Sequence, residues 1–129
     1  NIRFVDLPGY GYARVSFEEK KRWSKLIEGY FEENKNIALV IQIIDMRHPP
    51  SVLDIQMIDF LKSKGYPFII VTSKSDKLRK MARAEREELL KEELKDYEDV
   101  ERIAFSSLNG EGVDKLKGKI TYYCEEVRK

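Results

Sequence analysis

Four short apolar segments, each followed by a polar loop and then by a stretch of helical periodicity, limit the folds open to this chain more than any other feature. They are Ile2–Asp6, Ile37–Ile44, Phe68–Thr72 and Val100–Phe105. The second and third are nearly continuous in apolar and β-branched residues, the pattern of strands covered on both faces. The gaps read as helices. Ser16 with Glu19 three residues later forms a capping box, and Trp23, Leu26, Ile27, Tyr30 and Phe31 follow as one apolar stripe. Ser51 with Asp54 opens a second helix, with Val52, Ile55, Ile58 and Leu61 or Phe60 inward and Gly65 as its stop. Ala82–Tyr97 is charged, with Leu89, Leu90 and Leu94 as its apolar side, and a last helix covers about Val113–Val127. Strand, loop and helix four times over is an α/β layered domain with a mostly parallel sheet. No repeat, low-complexity tract or linker interrupts residues 1–129, so a single domain is expected.

Composition removes several classes of function. The longest apolar run, Ile37 to Ile41, is far below the roughly 20 residues of a membrane span. No basic, apolar and small-residue leader is visible. Cys124 is the single cysteine and His48 the single histidine, which excludes an internal disulfide and a Cys/His metal cluster. A reducing cytoplasm is the expected location. With 24 Lys+Arg against 23 Asp+Glu the net charge is +1, so any attraction to nucleic acid must be local. The chain opens on Asn1 and runs at once into strand-like residues, so preceding sequence is expected.

In an open parallel sheet, ligands bind at the carboxyl ends of the strands. Here those positions carry Asp6, Gly9, Asp45, Lys74, Asp76, Ser106 and Ser107. In Asp6-Leu7-Pro8-Gly9, a carboxylate closing a strand can hold Mg²⁺ through water. Gly9 lets a backbone N–H approach a phosphate without a Cβ in the way. By itself the string also reads as a Pro-Gly turn. In Ser73-Lys74-Ser75-Asp76, the Asp76 carboxylate offers two acceptors to the adjacent N1–H and N2–H donors of guanine, and the Lys74 stem can lie over a base. By itself this is also a polar loop whose Asp76 caps the next helix. In Phe105-Ser106-Ser107-Leu108, small residues let backbone N–H groups reach the guanine O6; the bland reading is a turn.

Together, in this order and at spacings of about 70 and then about 30 residues, the three segments match guanine-nucleotide-binding proteins. The strings Phe4-Val5-Asp6-Leu7-Pro8-Gly9-Tyr10-Gly11-Tyr12-Ala13, Trp23-Ser24-Lys25-Leu26-Ile27-Glu28-Gly29-Tyr30, Ile44-Asp45-Met46-Arg47-His48-Pro49-Pro50 and Ser106-Ser107-Leu108-Asn109-Gly110-Glu111-Gly112 closely resemble the EngB (YihA/YsxC) family of small GTPases. The resemblance covers essentially the whole chain. It implies a P-loop NTPase, Ras-like three-layer fold that hydrolyses GTP as a conformational switch, with Mg²⁺. It also implies a monomer that serves large ribosomal subunit assembly and cell division, touching ribosomal RNA and protein and no membrane. Carried over residue by residue, nucleotide binding falls to Asp6, Gly9, Ser73, Lys74, Asp76, Ser106, Ser107 and Leu108, with Asp6 on Mg²⁺ through water.

Two departures matter. Ser73 stands where the family's fourth signature usually has Thr or Asn. No Gly-x-x-x-x-Gly-Lys-Ser/Thr occurs in the 129 residues, and the switch Thr is missing too. The expectation is a G domain represented by its C-terminal two-thirds, with the first strand, neighbour of Ile2–Asp6, in the absent part. Tyr10 stands where Ras-like GTPases place the Gln that orients water, so slow intrinsic hydrolysis is expected and no catalytic residue can be named.

Lys77, Arg79, Lys80, Arg83 and Arg86 form a basic cluster beside the base-binding loop, and Arg14, Lys20, Lys21 and Lys25 form another. Either could touch RNA phosphates or be a solvated face. Two other functions compete: a phospho-acceptor receiver domain, which lacks its adjacent acidic pair here, and a ribosome-docking module without nucleotide turnover.

Overall fold

A computed structural model describes residues 2–7, 16–34 and 36–128. Three of the four apolar segments form strands: β1 (Val40–Asp45), β2 (Phe68–Ser73) and β3 (Arg102–Ala104). They pair in parallel in the order β1-β2-β3, with Val40 beside Phe68 and Ile70 beside Arg102. The helices are α1 (Phe17–Glu33), α2 (Val52–Lys64), α3 (Lys80–Glu93) and α4 (Val113–Arg128). The chain divides into two compact units, Asn1–Ile37 and Ala38–Lys129.

In the second unit both faces of β2 are covered, while Ile43 of β1 remains exposed. Ile44 and Ile70 point to one side and pack with Ile58 of α2, Leu90 of α3, Met46 and Leu94. Ile69, Val71 and Ile103 point to the other, against Leu116 of α4. Alternate side chains of a strand face opposite ways, so a strand apolar at every position needs both layers.

Local signals set the helix ends. Ser51 accepts from Asp54 N at 3.0 Å while Asp54 Oδ2 accepts from Ser51 N at 2.8 Å, a complete capping box on α2. Gly65 closes the same helix in the left-handed region. On α1, Ser16 Oγ accepts from Glu19 N at 3.2 Å.

Several sequence expectations need correction. Residues 2–7 carry no regular secondary structure, and Ile2, Phe4 and Val5 are each half exposed or more. A strand exists through ladder bonds to a neighbour, and no strand among the described residues pairs with this segment. In α2, Val52 faces solvent, while Leu53 and Met57 are buried with Ile58 and Leu61. In α3, Leu89 is exposed and Leu90 is fully buried; in α1, Ile27 and Phe31 are buried and Leu26 is exposed. A run of neighbouring apolar residues leaves the inward angle of a helix undecided by one position, and packing decides it.

Candidate functional site

The turn after β2 begins with Lys74 at φ 61°, ψ 34°, a left-handed conformation uncommon for a residue with a Cβ. The bend brings Ser75 and Asp76 back across the end of β3. Ser75 N–H donates to the Phe105 carbonyl at 3.2 Å, and Phe105 N–H to Thr72 at 2.9 Å. Asp76 caps no helix: α3 begins at Lys80 with Arg79 before it. Instead, Asp76 Oδ1 accepts a 2.7 Å bond from Ser106 Oγ, and Ser106 is fully buried.

Ser106 organises its own loop as well. Its Oγ accepts from Leu108 N at 3.1 Å and Asn109 N at 3.2 Å, and its carbonyl accepts from Gly110 N. The exposed Ser107 is left with a backbone N–H that donates to no described residue. A carboxylate has about four acceptor positions. One of those on Asp76 is taken by Ser106, so the rest can receive a flat pair of donors, with the Ser107 N–H on the same rim for a carbonyl.

The predicted residues are thus partly assembled. Lys74, Asp76, Ser106 and Ser107 converge on one sheet end. Ser73 closes β2, but its hydroxyl turns to the Ile44 carbonyl at 3.4 Å. Leu108 is 79% exposed and contributes its N–H to Ser106. Asp6 is exposed and bonded to no described residue, and Gly9 lies outside the described residues, as do Tyr10 and Arg14.

Asp45 and Arg83, which the sequence offered only as a strand-end carboxylate and as part of a basic cluster, join the site together with Arg47 and Glu111, to which it gave no role there. Asp45, 4% exposed at the end of β1, receives Arg47 Nε on Oδ1 at 3.0 Å and Arg47 Nη2 on Oδ2 at 2.7 Å; Lys74 Nζ lies 3.6 Å from Oδ2. The Arg47 bonds lower its pKa to about 2 against the opposing push of burial. Asp45 closes an apolar strand just as Asp6 does, which is why it counted among the strand-end residues, though without an assigned partner. Glu111 accepts from Ser75 Oγ and Arg83 Nη1, both at 2.7 Å, and pairs with Arg83 Nη2. In the string Asn-Gly-Glu-Gly nothing distinguished it from a solvated turn residue.

The basic cluster is divided by the fold. Arg86 is turned inward, donating to the Met46 and His48 carbonyls at 2.9 Å and pairing with Glu93. Arg83 is taken by Glu111. Lys77, Arg79 and Lys80 remain exposed, as do Lys20, Lys21 and Lys25 on α1. No helix among the described residues is long and apolar enough to cross a membrane.

No family model matches the chain. Across 113 residues it is 42% identical to "Probable GTP-binding protein EngB" of Streptococcus pneumoniae (strain Hungary19A-6), covering 88% of this chain and 58% of that protein. The protein of the same name from Streptococcus uberis is also 42% identical, with 88% and 57% covered. The chain therefore spans somewhat under three-fifths of the length of the curated relatives it matches. Among solved structures, a crystal structure of a probable GTP-binding protein engB superposes with a TM-score of 0.74 at 24% identity, covering 94% of this chain and 75% of that one. Elongation factor SelB from Methanococcus maripaludis, in complex with the GTP analogue GppNHp, gives 0.62 at 24%, covering 79% and 23%. Both show the fold: three parallel strands with helices in an α/β, P-loop GTPase-like arrangement.

Proposed function

Because this chain is a homologue of the EngB GTP-binding proteins over most of its length, we propose that it supplies the guanine-recognition half of a G domain that binds GTP and hydrolyses it as a conformational switch. The observation that carries the reading is the Asp76 carboxylate, pinned by Ser106 at 2.7 Å beside Lys74 and open on its remaining acceptor positions. Guanine presents two parallel donors to such a carboxylate; adenine presents none in that arrangement.

Residues 1–129 belong, in this proposal, to one G domain. Asp6, exposed and free of bonds to described residues, suits a carboxylate that holds Mg²⁺ through water, since Mg²⁺ keeps most of its waters. Bound there, the ion would neutralise phosphate charge. The segment that Asp6 opens would respond to the γ-phosphate and to its loss, which is what makes hydrolysis a switch. With Tyr10 where an amide would orient water, intrinsic turnover is slow. The protein is a cytoplasmic monomer, and it acts in large ribosomal subunit assembly and cell division. The exposed Lys77, Arg79 and Lys80 supply cations for an RNA backbone. They are also what a ribosome-docking module without turnover would use.

Competition of GTP, XTP and ATP against labelled GDP on the full-length protein separates these readings. Wild type should bind GTP and reject ATP. Asp76→Asn places an amide donor against the guanine 2-amino group. Losing one half of such a charged pair costs roughly 2–5 kcal/mol, or a fall of about 30-fold or more in GTP affinity. Xanthine carries a carbonyl there and should be bound better than guanine by this variant. An Asp76→Asn protein that still prefers GTP removes the base-site assignment. A wild type that binds no guanine nucleotide yet associates with large ribosomal subunits favours the docking module.

A further inference from the structure

We propose that Glu111 is a positioning residue for the base site, locking the loop after β2 to the loop after β3 through Ser75 and Arg83. This rests on the assignment of Lys74, Asp76 and Ser107 as the base-facing groups. Those groups stand on two separate loops, and a recognition site needs its parts held to about 0.5 Å. The parallel ladder fixes only the strand ends, its last rungs being Phe105 N to Thr72 O at 2.9 Å and Ser75 N to Phe105 O at 3.2 Å. Beyond them, the Ser106–Asp76 bond engages the very carboxylate the ligand must use.

Glu111 supplies a tie that leaves the ligand-facing groups alone. Ser75 lies between Lys74 and Asp76, is 1% exposed, and donates its hydroxyl to Glu111 Oε1 at 2.7 Å. Arg83 of α3 donates Nη1 to the same oxygen at 2.7 Å and pairs with the other through Nη2. One carboxylate thereby joins both loops and the helix that follows. Its own backbone is held in place: Ser106 N–H donates to the Glu111 carbonyl at 3.0 Å, and Glu111 N–H to Asn109 Oδ1 at 2.9 Å. Gly110 and Gly112 flank it with φ of 84° and 78°, and a Cβ on Gly112 would collide with the Ala104 carbonyl. A turn with left-handed glycines on either side aims this side chain inward. Arg83, and then Ser75, keep its carboxyl below the ordinary glutamate range, so it is ionised at neutral pH.

With the tie cut, the strained Lys74 turn can relax and the two loops can drift apart, so discrimination at the base should suffer before phosphate binding does. The test is stopped-flow dissociation of labelled GDP from the full-length protein, with competition by GDP and by IDP, whose base lacks the 2-amino group. Wild type should prefer GDP. Glu111→Ala should speed GDP release about 10-fold, the scale of one lost charge-assisted hydrogen bond, and should move the GDP:IDP preference toward unity. Glu111→Gln, which keeps an acceptor for Ser75, should recover part of that preference. Ser75→Ala removes a single hydroxyl and should shift it in the same direction, and adding it to Glu111→Ala should change little, since both cut one network. Ser75→Ala carries the test alone if Glu111→Ala unfolds. Variants with lowered melting temperature and an unchanged GDP:IDP preference would overturn the positioning role. A wild type without affinity for labelled GDP would instead overturn the base-site reading beneath it.

Discussion

At the scale of single residues, Asp45 shows what a buried carboxylate at a strand end does to stability. It is almost wholly buried and takes a bidentate bond from Arg47, with Lys74 alongside. Its carboxyl titrates at about 2 in the folded chain against 3.8 for the unperturbed group. The folded state therefore binds the proton less readily than the unfolded state. The resulting stabilisation is present above about pH 4 and is lost as pH falls through about 2; at neutral pH it amounts to about 2 kcal/mol. Urea unfolding between pH 2 and 7 should show this acid limb, and Asp45→Asn should flatten it. If the variant shows the same pH dependence as wild type, the stabilising carboxylate is another one.

At the scale of elements, α1 and α2 are capped by the same residue type to different extents. Ser51 and Asp54 bond reciprocally, while on α1 the described bond is that of Ser16 Oγ to Glu19 N–H. Ser51→Ala removes the acceptor for Asp54 N–H and should cost about 1 kcal/mol in equilibrium unfolding. Ser51→Asp, which restores an acceptor, should recover most of it. The inward turn of Arg86 also belongs to this scale. Its guanidinium bonds the Met46 and His48 carbonyls and Glu93, so α3 clamps the loop that leaves β1. A residue that counts as surface charge in the sequence serves as an internal strut.

At the scale of the whole molecule, stability rests on a sheet with helices over both faces, and neighbouring leucines of α3 are worth very different amounts. Leu90 is fully buried with Ile44, Ile58 and Ile70, while Leu89 is 44% exposed. Leu90→Ala leaves a cavity and should cost about 2–5 kcal/mol. Leu89→Ala should stay within about 0.5 kcal/mol, as surface substitutions do. Denaturant midpoints of the two variants decide between these inward angles. Equal costs would mean that α3 is rotated away from the orientation in which Leu90 faces the core.

Sequence alone determined what is local or periodic in this protein. Nearly continuous apolar and β-branched runs identified β1 and β2 within a few residues, and the shorter, more mixed segment 100–105 identified β3, because strand residues pack apolar side chains against the helices. Ser51, Asp54 and Gly65 marked both ends of α2, because caps act through neighbours three or four residues away. Lys74, Asp76 and Ser106 were legible as candidates by their place at strand ends. Tertiary structure alone decided what depends on partners distant in the chain. The segment 2–6 has strand composition, yet without a paired neighbour it forms no strand. Whether Leu89 or Leu90 faces the core depends on the helix rotation, which the sheet sets. Glu111 and Ser75, 36 residues apart, meet because parallel β2 and β3 bring their carboxyl ends side by side. A hydrogen bond across such a distance leaves no spacing to read, so the residues that hold the candidate site together emerge only when the strands are in register.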